Sequence, residues 1–328
     1  MIILAIESTA DETAICLLKD GKDILKHQVA SSLELHKKTK GIVPEISARA
    51  HLENIFPMLF DLKKEFDFGK IDKIAVAVGP GLQGSLIVGV EVAKFLAYCY
   101  KKPIIAVNHL QAHLFANFIS SQKPQLPAVG LVVSGGHTDL VIIDKKLKIK
   151  RLGSTRDDAV GEAFDKVARI LLHASYPGGP EIDKVFCENR EKFNKKIVAR
   201  PMLNSKDYDF SFSGLKTSVN YMLGGYNNID IAVDFQRAVV EILLKKTNRA
   251  FKNFHAKSII VGGGVSANSF LREEFTNNFK NSVHFPPKCL SIDNGATIAS
   301  AAYYLPYEVE LNKLKAISGL TIDQSPIN

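Results

Sequence analysis

The chain has 328 residues, 46% of them hydrophobic and 23% charged, a globular composition at a length that divides into two lobes. Four cysteines, Cys16, Cys99, Cys187 and Cys289, lie far apart with no CxxC pair, which excludes a dense disulfide framework and fits a reducing cytoplasm. The formal charge of +8 favours polyanions only weakly, since solvated lysines on loops and exposed faces are the default reading of its clusters (37–40, 145–151 and 192–196).

The apolar start Met1–Ile6 has no basic segment before it and meets Glu7 at once, so it reads as a strand and not as an export signal. Ile3–Ile6, the polar turn Glu7–Thr13 and Ala14–Leu18 predict strand, turn and strand, closed by the charged hairpin Lys19–Lys22. Ile74–Val78 predicts a strand running into Gly79-Pro-Gly-Leu-Gln-Gly84, a GxGxxG pattern. Pro80 removes one N–H from a phosphate cradle, and the next strand, Ile104–Val107, ends in Asn108-His109 where a ribose-binding acid would stand. The glycines therefore read as a tight strand-to-helix turn. Leu86–Tyr100 is a core helix, since Glu91 and Lys94 break it as a membrane span.

Val129–Val133, the turn Ser134–Asp139 and Leu140–Ile143 repeat the plan of the first hairpin, with Asp144–Lys146 as a second charged turn. Helices are predicted over Gly161–His173, over Ile231–Phe254 with a basic outer face, from an N-cap at Ser266 through Phe275, and over Ala296–Tyr304. Asn189–Asp209 reads as an exposed, irregular loop. The alternation of strands and helices gives an α/β fold with largely parallel sheets, and the echoed hairpin gives two lobes facing a shared cleft. The expected boundaries are 1–122 and 123–295, the first lobe being completed by a C-terminal helix over 296–328.

His109 and His113 stand one helical turn apart, so both imidazoles reach one ion. The intervening Leu110-Gln111-Ala112 lacks the glutamate of a zinc protease, and no Gly-x-Ser-x-Gly elbow appears. A third ligand is expected. Asp293 is a candidate, with capping of the following helix as its bland alternative, and His137, His284 and Cys289 compete with it. Ser134-Gly135-Gly136, Tyr176-Pro-Gly-Gly179-Pro180 with Asp183 beyond it, and Gly262-Gly-Gly-Val-Ser-Ala-Asn268 are three glycine turns at element ends, which together suit a nucleotide phosphate, although the first reads equally as a plain hairpin turn.

Together Glu7-Ser-Thr-Ala-Asp-Glu-Thr13, Gly79-Pro-Gly81, His109-Leu-Gln-Ala-His113, Ser134-Gly-Gly-His-Thr138, Gly161-Glu-Ala-Phe-Asp-Lys166, Tyr176-Pro-Gly-Gly-Pro180, Ser211-Phe-Ser-Gly-Leu-Lys-Thr217, Gly263-Gly-Val-Ser-Ala-Asn268 and Asp293-Asn-Gly295 resemble the tRNA N6-adenosine threonylcarbamoyltransferase family, in its bacterial TsaD form. The resemblance implies an actin/Hsp70/sugar-kinase-like (ASKHA) fold of two similar lobes around a nucleotide cleft. It implies transfer of a threonylcarbamoyl group from threonylcarbamoyl-adenylate to N6 of adenosine 37 in tRNAs reading codons that begin with A. By that likeness His109, His113 and Asp293 hold a metal, one Fe(2+) per subunit or zinc. Val132, Val133, Ser134, Gly135, Gly136, Asp165, Gly179, Asp183 and Asn268 hold the adenylate, and Asp11 and Glu12 stand near the reaction centre.

The implied partners are tRNA, a shorter paralogue of the TsaB type, a TsaE-type P-loop ATPase and the TsaC-type synthase that makes the adenylate, in the cytoplasm and with no membrane. Two features depart from the family pattern. Ala10 replaces a usual cysteine, and the tail Ile317–Asn328 lacks the usual Arg- and Trp-containing ending. The alternatives are a small-molecule kinase or ATPase of the same superfamily, with Mg²⁺ on carboxylates and no need of His109, and a non-catalytic subunit.

Overall fold

The computed structural model describes residues 1–39, 43–120 and 122–327; Lys40 and the side chains of Lys37 and Lys38 from the first lysine cluster lie outside the described residues. The chain divides into two compact units, Met1–Lys123 with Ile292–Asn328, and Pro124–Ser291.

In the first unit the strands β1 (Ile2–Glu7), β2 (Glu12–Lys19) and β3 (Asp23–Ser31) form an antiparallel meander. The short helix α1 (Leu33–Thr39) and the long α2 (Pro44–Glu65) follow, then β4 (Lys73–Gly79), α3 (Gln83–Tyr100), β5 (Ile104–Asn108) and α4 (His109–Phe115). β4 lies parallel to both β1 and β5, because the connections through α2 and through α3 return the chain to the same end of the sheet. β1 and β4 read as near-continuous apolar runs since both of their faces are covered, and Leu4, Ile6, Val76 and Val78 are fully buried. Gly79 has φ +153° and its missing Cβ would fall 1.9 Å from the Ile317 carbonyl oxygen, so the GxGxxG stretch is the tight turn its proline indicates.

The second unit repeats the plan. β6 (Ala128–Val133), β7 (Thr138–Ile143) and β8 (Ile149–Ser154) form a second antiparallel meander. After α5 (Val160–Leu172), α6 (Gly179–Asn189), α7 (Ser213–Met222) and α8 (Asn228–Asn253), β9 (Ser258–Gly262) adds parallel to β6. The helix α9 (Ser269–Phe279) leads to β10 (Val283–His284), parallel to β9. The strand orders β5-β4-β1-β2-β3 and β10-β9-β6-β7-β8 are thus equivalent, an internal duplication far wider than the two echoed hairpins.

The chain then returns to the first unit with α10 (Gly295–Tyr304) and β11 (Glu308–Val309), which pairs with β5. The expected helix over 296–328 ends at Tyr304. Pro306 has no N–H to continue it and disfavours helical backbone at Leu305, whose ψ is 73°. The tail folds back instead: Ile317 N–H donates to the Val78 carbonyl at 2.7 Å, and Leu320 and Ile322 are buried.

Two further expectations change. The N-cap of α9 is Asn268, whose Oδ1 accepts from Leu271 N–H at 2.9 Å, while Ser266 belongs to a preceding 3-10 turn. Lys245 and Lys252 keep a basic, exposed side on α8, but three other cations of the helix turn towards the protein. Arg237 donates to the carbonyls of Arg190 and Phe193, Arg249 to those of Ser205 and Asp207, and the buried Lys246 to Ser205 Oγ at 2.7 Å. These donors satisfy the carbonyls of the irregular stretch 190–209, which has no sheet or helix of its own to do so.

Candidate metal centre and glycine turns

Asn108 starts α4 by capping it, its Oδ1 accepting from Leu110 and Gln111 N–H at 3.0 and 3.3 Å. Its Nδ2 donates to the Thr321 carbonyl at 2.8 Å, and Gln111 Nε2 donates to the Ile322 carbonyl at 2.8 Å, so the folded-back tail fixes the helix end. Every residue of α4 is buried. The two imidazoles meet edge to face with ring centroids 4.6 Å apart.

Asp293 faces them. Its Oδ1 is 3.5 Å from His109 Nε2 and 3.4 Å from His113 Nε2. Donors about 2.0–2.2 Å from a tetrahedral ion lie about 3.4 Å from one another, so these separations fit a shared cation without rearrangement. The capping alternative for Asp293 is excluded, because its neighbour Asn294 caps α10 by accepting from Thr297 N–H at 3.0 Å. Ser300 of α10 donates to the Phe115 carbonyl at 2.8 Å, tying the helix that follows Asp293 to the helix that carries the histidines. The sequence boundaries put Asp293 in the second lobe; it belongs to the first unit because α10 packs on β1, β2 and α4. Among the described residues, the groups able to hold a cation are His109–His113–Asp293 and Asp11–Glu12–Asp293; neither includes His137, His284 or Cys289.

Glu7 was not among the candidate residues. It ends β1 fully buried, with Oε1 accepting from Thr9 N–H at 2.6 Å and Oε2 accepting from His109 Nδ1 at 2.9 Å. That bond places the His109 proton on Nδ1 and leaves Nε2 as the ligand, the arrangement in which a carboxylate orients and strengthens a metal-binding imidazole. The available signal was an acid ending an otherwise apolar strand.

The electrostatics are tightly linked. Burial alone would raise the Glu7 carboxyl, but the His109 charge and the bonds from His109 and Thr9 hold it below the usual range. Burial opposes charge on His109, while Glu7 and Asp293 overcome this and raise it to about 9. Asp293 is pushed up to about 7 by burial and by Glu7 and Asp11, against the pull of His109. Glu12 reaches about 10 through burial, the hydrogen bond and charge of Asp11, and the charge of Asp293. The four acids Glu7, Asp11, Glu12 and Asp293 so placed store a mutual repulsion that a divalent cation relieves.

In the second unit, Val132 and Val133 end β6 and Ser134 N–H donates to the His137 carbonyl at 2.9 Å, closing the turn. A Cβ at Gly135 or Gly136 would meet no protein atom within 4 Å, so packing does not demand glycine there. Gly263, at φ +93°, lies against the end of β6, where a Cβ would fall 2.4 Å from the Val133 carbonyl oxygen. Asp165 accepts from Gly178 N–H at 2.6 Å, fixing the turn before Gly179. Asp183 accepts from Ser269 N–H and Oγ at 3.0 and 2.9 Å. The buried Gln236, which sequence reasoning missed, joins Asp183 to Asn268: it donates to Asp183 at 2.8 Å and accepts from Asn268 Nδ2 at 3.0 Å.

The family model "TsaD: tRNA N6-adenosine threonylcarbamoyltransferase" matches residues 23–300. The tRNA N6-adenosine threonylcarbamoyltransferase of Thermosipho africanus is 48% identical, over 93% of this chain and 94% of that protein. That of Moorella thermoacetica is 46% identical, over 92% and 91%. Among solved structures, T. kodakarensis HypF aligns with a TM-score of 0.64 at 13% identity over 92% of this chain and 47% of its own. Component A of the Acidaminococcus fermentans (R)-2-hydroxyglutaryl-CoA dehydratase aligns with 0.57 at 14% identity over 92% and 98%. At such identities these likenesses bear on fold alone, and the fold is that of the actin/Hsp70/sugar-kinase class. By sequence, the chain belongs to the tRNA N6-adenosine threonylcarbamoyltransferase family.

Proposed function

We propose that this protein is the enzyme that transfers the threonylcarbamoyl group of threonylcarbamoyl-adenylate to N6 of adenosine 37 in tRNAs reading codons that begin with A. The observation that carries the reading is the convergence of His109 Nε2, His113 Nε2 and Asp293 Oδ1, with Glu7 behind His109. A kinase that holds Mg²⁺ on carboxylates has no task for that arrangement. The ion is iron(II), with zinc as the alternative the same donors accept. When bound, it supplies Lewis-acid polarisation of an oxygen on which negative charge develops.

The chain's own residues do the rest. Glu7 keeps His109 in the ligating tautomer. The amides of Gly135 and Gly136, presented by Val132, Val133 and Ser134, hold the adenylate phosphate. Asp165 and Gly179 shape one wall of the nucleotide site, and Asp183 and Asn268, locked through Gln236, hold the nucleoside. As the new carbon–nitrogen bond forms, the carbon–oxygen bond to the phosphate breaks and AMP departs. The proton lost by N6 goes to the Asp11–Glu12 carboxyl pair, and no side-chain nucleophile is needed.

The exposed faces of α2 and α3 support a protein partner. Leu52, Phe56 and Phe60 recur every fourth residue on α2, and Ile87, Phe95 and Tyr98 stand on the adjoining α3, all of them exposed. We assign this face to the shorter TsaB-type paralogue, and place the TsaE-type ATPase and TsaC-type synthase alongside in a cytoplasmic pathway. No helix of the described residues is long and apolar enough to cross a membrane.

The test combines the purified protein and its partners with threonine, bicarbonate, ATP, synthase and unmodified tRNA, followed by mass spectrometry of the nucleosides. Threonylcarbamoyladenosine is expected, and its absence with active partners refutes the reading. The His109→Ala/His113→Ala variant is expected to lose bound iron or zinc; unchanged metal content refutes the site.

A further inference from the structure

The residues given tasks above leave out a buried histidine on α2. His51 is fully buried, and its ring spans the acidic turn between β1 and β2. Nε2 lies 3.1 Å from the Ala10 carbonyl and Nδ1 lies 2.8 Å from Thr13 Oγ1. A carbonyl oxygen only accepts, so the proton sits on Nε2. The Nδ1 of the neutral ring is then an acceptor, and the Thr13 hydroxyl donates to it.

The two bonds fall on either side of Asp11 and Glu12 in the chain. The Asp11 carbonyl is held separately, by Ser32 N–H at 2.9 Å and Ser32 Oγ at 2.8 Å. The chain around the acidic pair is therefore held at the Ala10 and Asp11 carbonyls and at the Thr13 side chain, where β2 begins its pairing with β3, while the two carboxyl groups gather with Asp293, ligand atoms all within 4.8 Å. Packing alone gives no reason for an imidazole here. An apolar side chain would fill the space without the cost of burying two ring nitrogens, a cost that is offset only because both find partners on this one turn.

We propose that His51 is a positioning residue that clamps the Ala10–Thr13 turn so that the carboxyl groups of Asp11 and Glu12 converge with Asp293. This rests on the functional reading above, in which that pair takes the proton from the acceptor amine. His51 itself touches no substrate; it acts through the Ala10 carbonyl on one side of the pair and the Thr13 side chain on the other.

Three near-isosteric changes separate the two halves of the clamp. Thr13→Val removes the hydroxyl at almost constant volume. His51→Asn keeps an acceptor at the δ position and loses the ε donor, and His51→Gln does the reverse. In the reconstituted complex, Thr13→Val and His51→Asn are expected to lower kcat about 10- to 100-fold, the scale of an ångström-level misplacement, with KM for tRNA and for adenylate within about twofold of wild type. Backbone amide exchange at residues 11–13 should rise in the same variants and stay unchanged elsewhere, and His51→Gln should retain more activity than His51→Ala. Wild-type kcat in Thr13→Val and His51→Asn, or a raised KM at constant kcat, overturns the proposal. A wild-type protein with no transfer activity refutes the functional reading instead; amide exchange needs no activity and still decides whether His51 holds the turn.

Discussion

Glu7→Gln tests the metal centre at its least visible residue. The Glu7 carboxylate accepts from Thr9 N–H at 2.6 Å and from His109 Nδ1 at 2.9 Å, with no exposure to water. Glutamine keeps the shape and can still accept from Thr9. Towards His109, however, it turns an NH₂ group on an N–H donor. Relief requires His109 to move its proton to Nε2, the atom that faces Asp293 at 3.5 Å and would bind the ion. Loss of such an orienting carboxylate costs roughly 10- to 100-fold in metal affinity, about 1.4–2.7 kcal/mol.

Proton competition decides where that loss is seen. Glu7 and Asp293 raise His109 to about 9, so the wild type must release a proton to bind metal at neutral pH, and its affinity should climb about tenfold per pH unit between pH 7 and 9. Without the Glu7 charge His109 titrates lower and the variant's affinity changes less with pH. The assay is chelator-buffered Zn²⁺ titration of both proteins. The expected result is a gap of 10- to 100-fold at pH 9 that narrows towards pH 7. Equal affinities at pH 9, or identical pH slopes, refute the assignment of Glu7 as the orienting partner.

Three other outcomes follow from the same geometry. His109, Asp293 and Glu12 all have folded values raised, to about 9, 7 and 10, so at these three groups the folded chain without a cation holds protons that the unfolded one releases, while the lowered Glu7, His27, His51 and His284 act oppositely only on the acid side. Stability should fall as pH rises from about 7 to 10, and urea midpoints in chelator should be lower at pH 9 than at pH 7, a trend that saturating Zn²⁺ reverses. Asn294→Ala removes the α10 cap and should cost about 1 kcal/mol, read as a melting temperature a few degrees lower, together with weaker metal binding because Asp293 loses its anchored neighbour. Arg200→Ala strands Asp234, which is fully buried and meets Arg200 Nη2 at 2.5 Å; a loss of about 3 kcal/mol in urea unfolding is expected, although Asp234 keeps the N–H bonds of Ile197 and Val198.

Local chemistry wrote much of this protein into its sequence. Hydrophobic periodicity gave the strands at Ile3–Ile6, Ile74–Val78 and Val129–Val133, because a strand covered on both faces must be apolar throughout. Spacing alone put His109 and His113 on one helix face, and Pro80 together with Asn108-His109 in place of a ribose-binding acid argued against a dinucleotide cradle. Tertiary structure decided what single positions could not. On local grounds Asp293 read better as a cap, until Asn294 was seen to take that role, and both are polar residues at one helix start. Glu7 and His109 are brought together by the parallel pairing of β1, β4 and β5, a contact that no local pattern encodes. Arg237 and Arg249 of α8 looked solvated because a sequence shows charge but not the carbonyls of residues 190–209 that fold back to meet it. Periodicity reports which face of an element is apolar; which polar groups meet across the fold depends on chain return, and only the folded molecule fixes that.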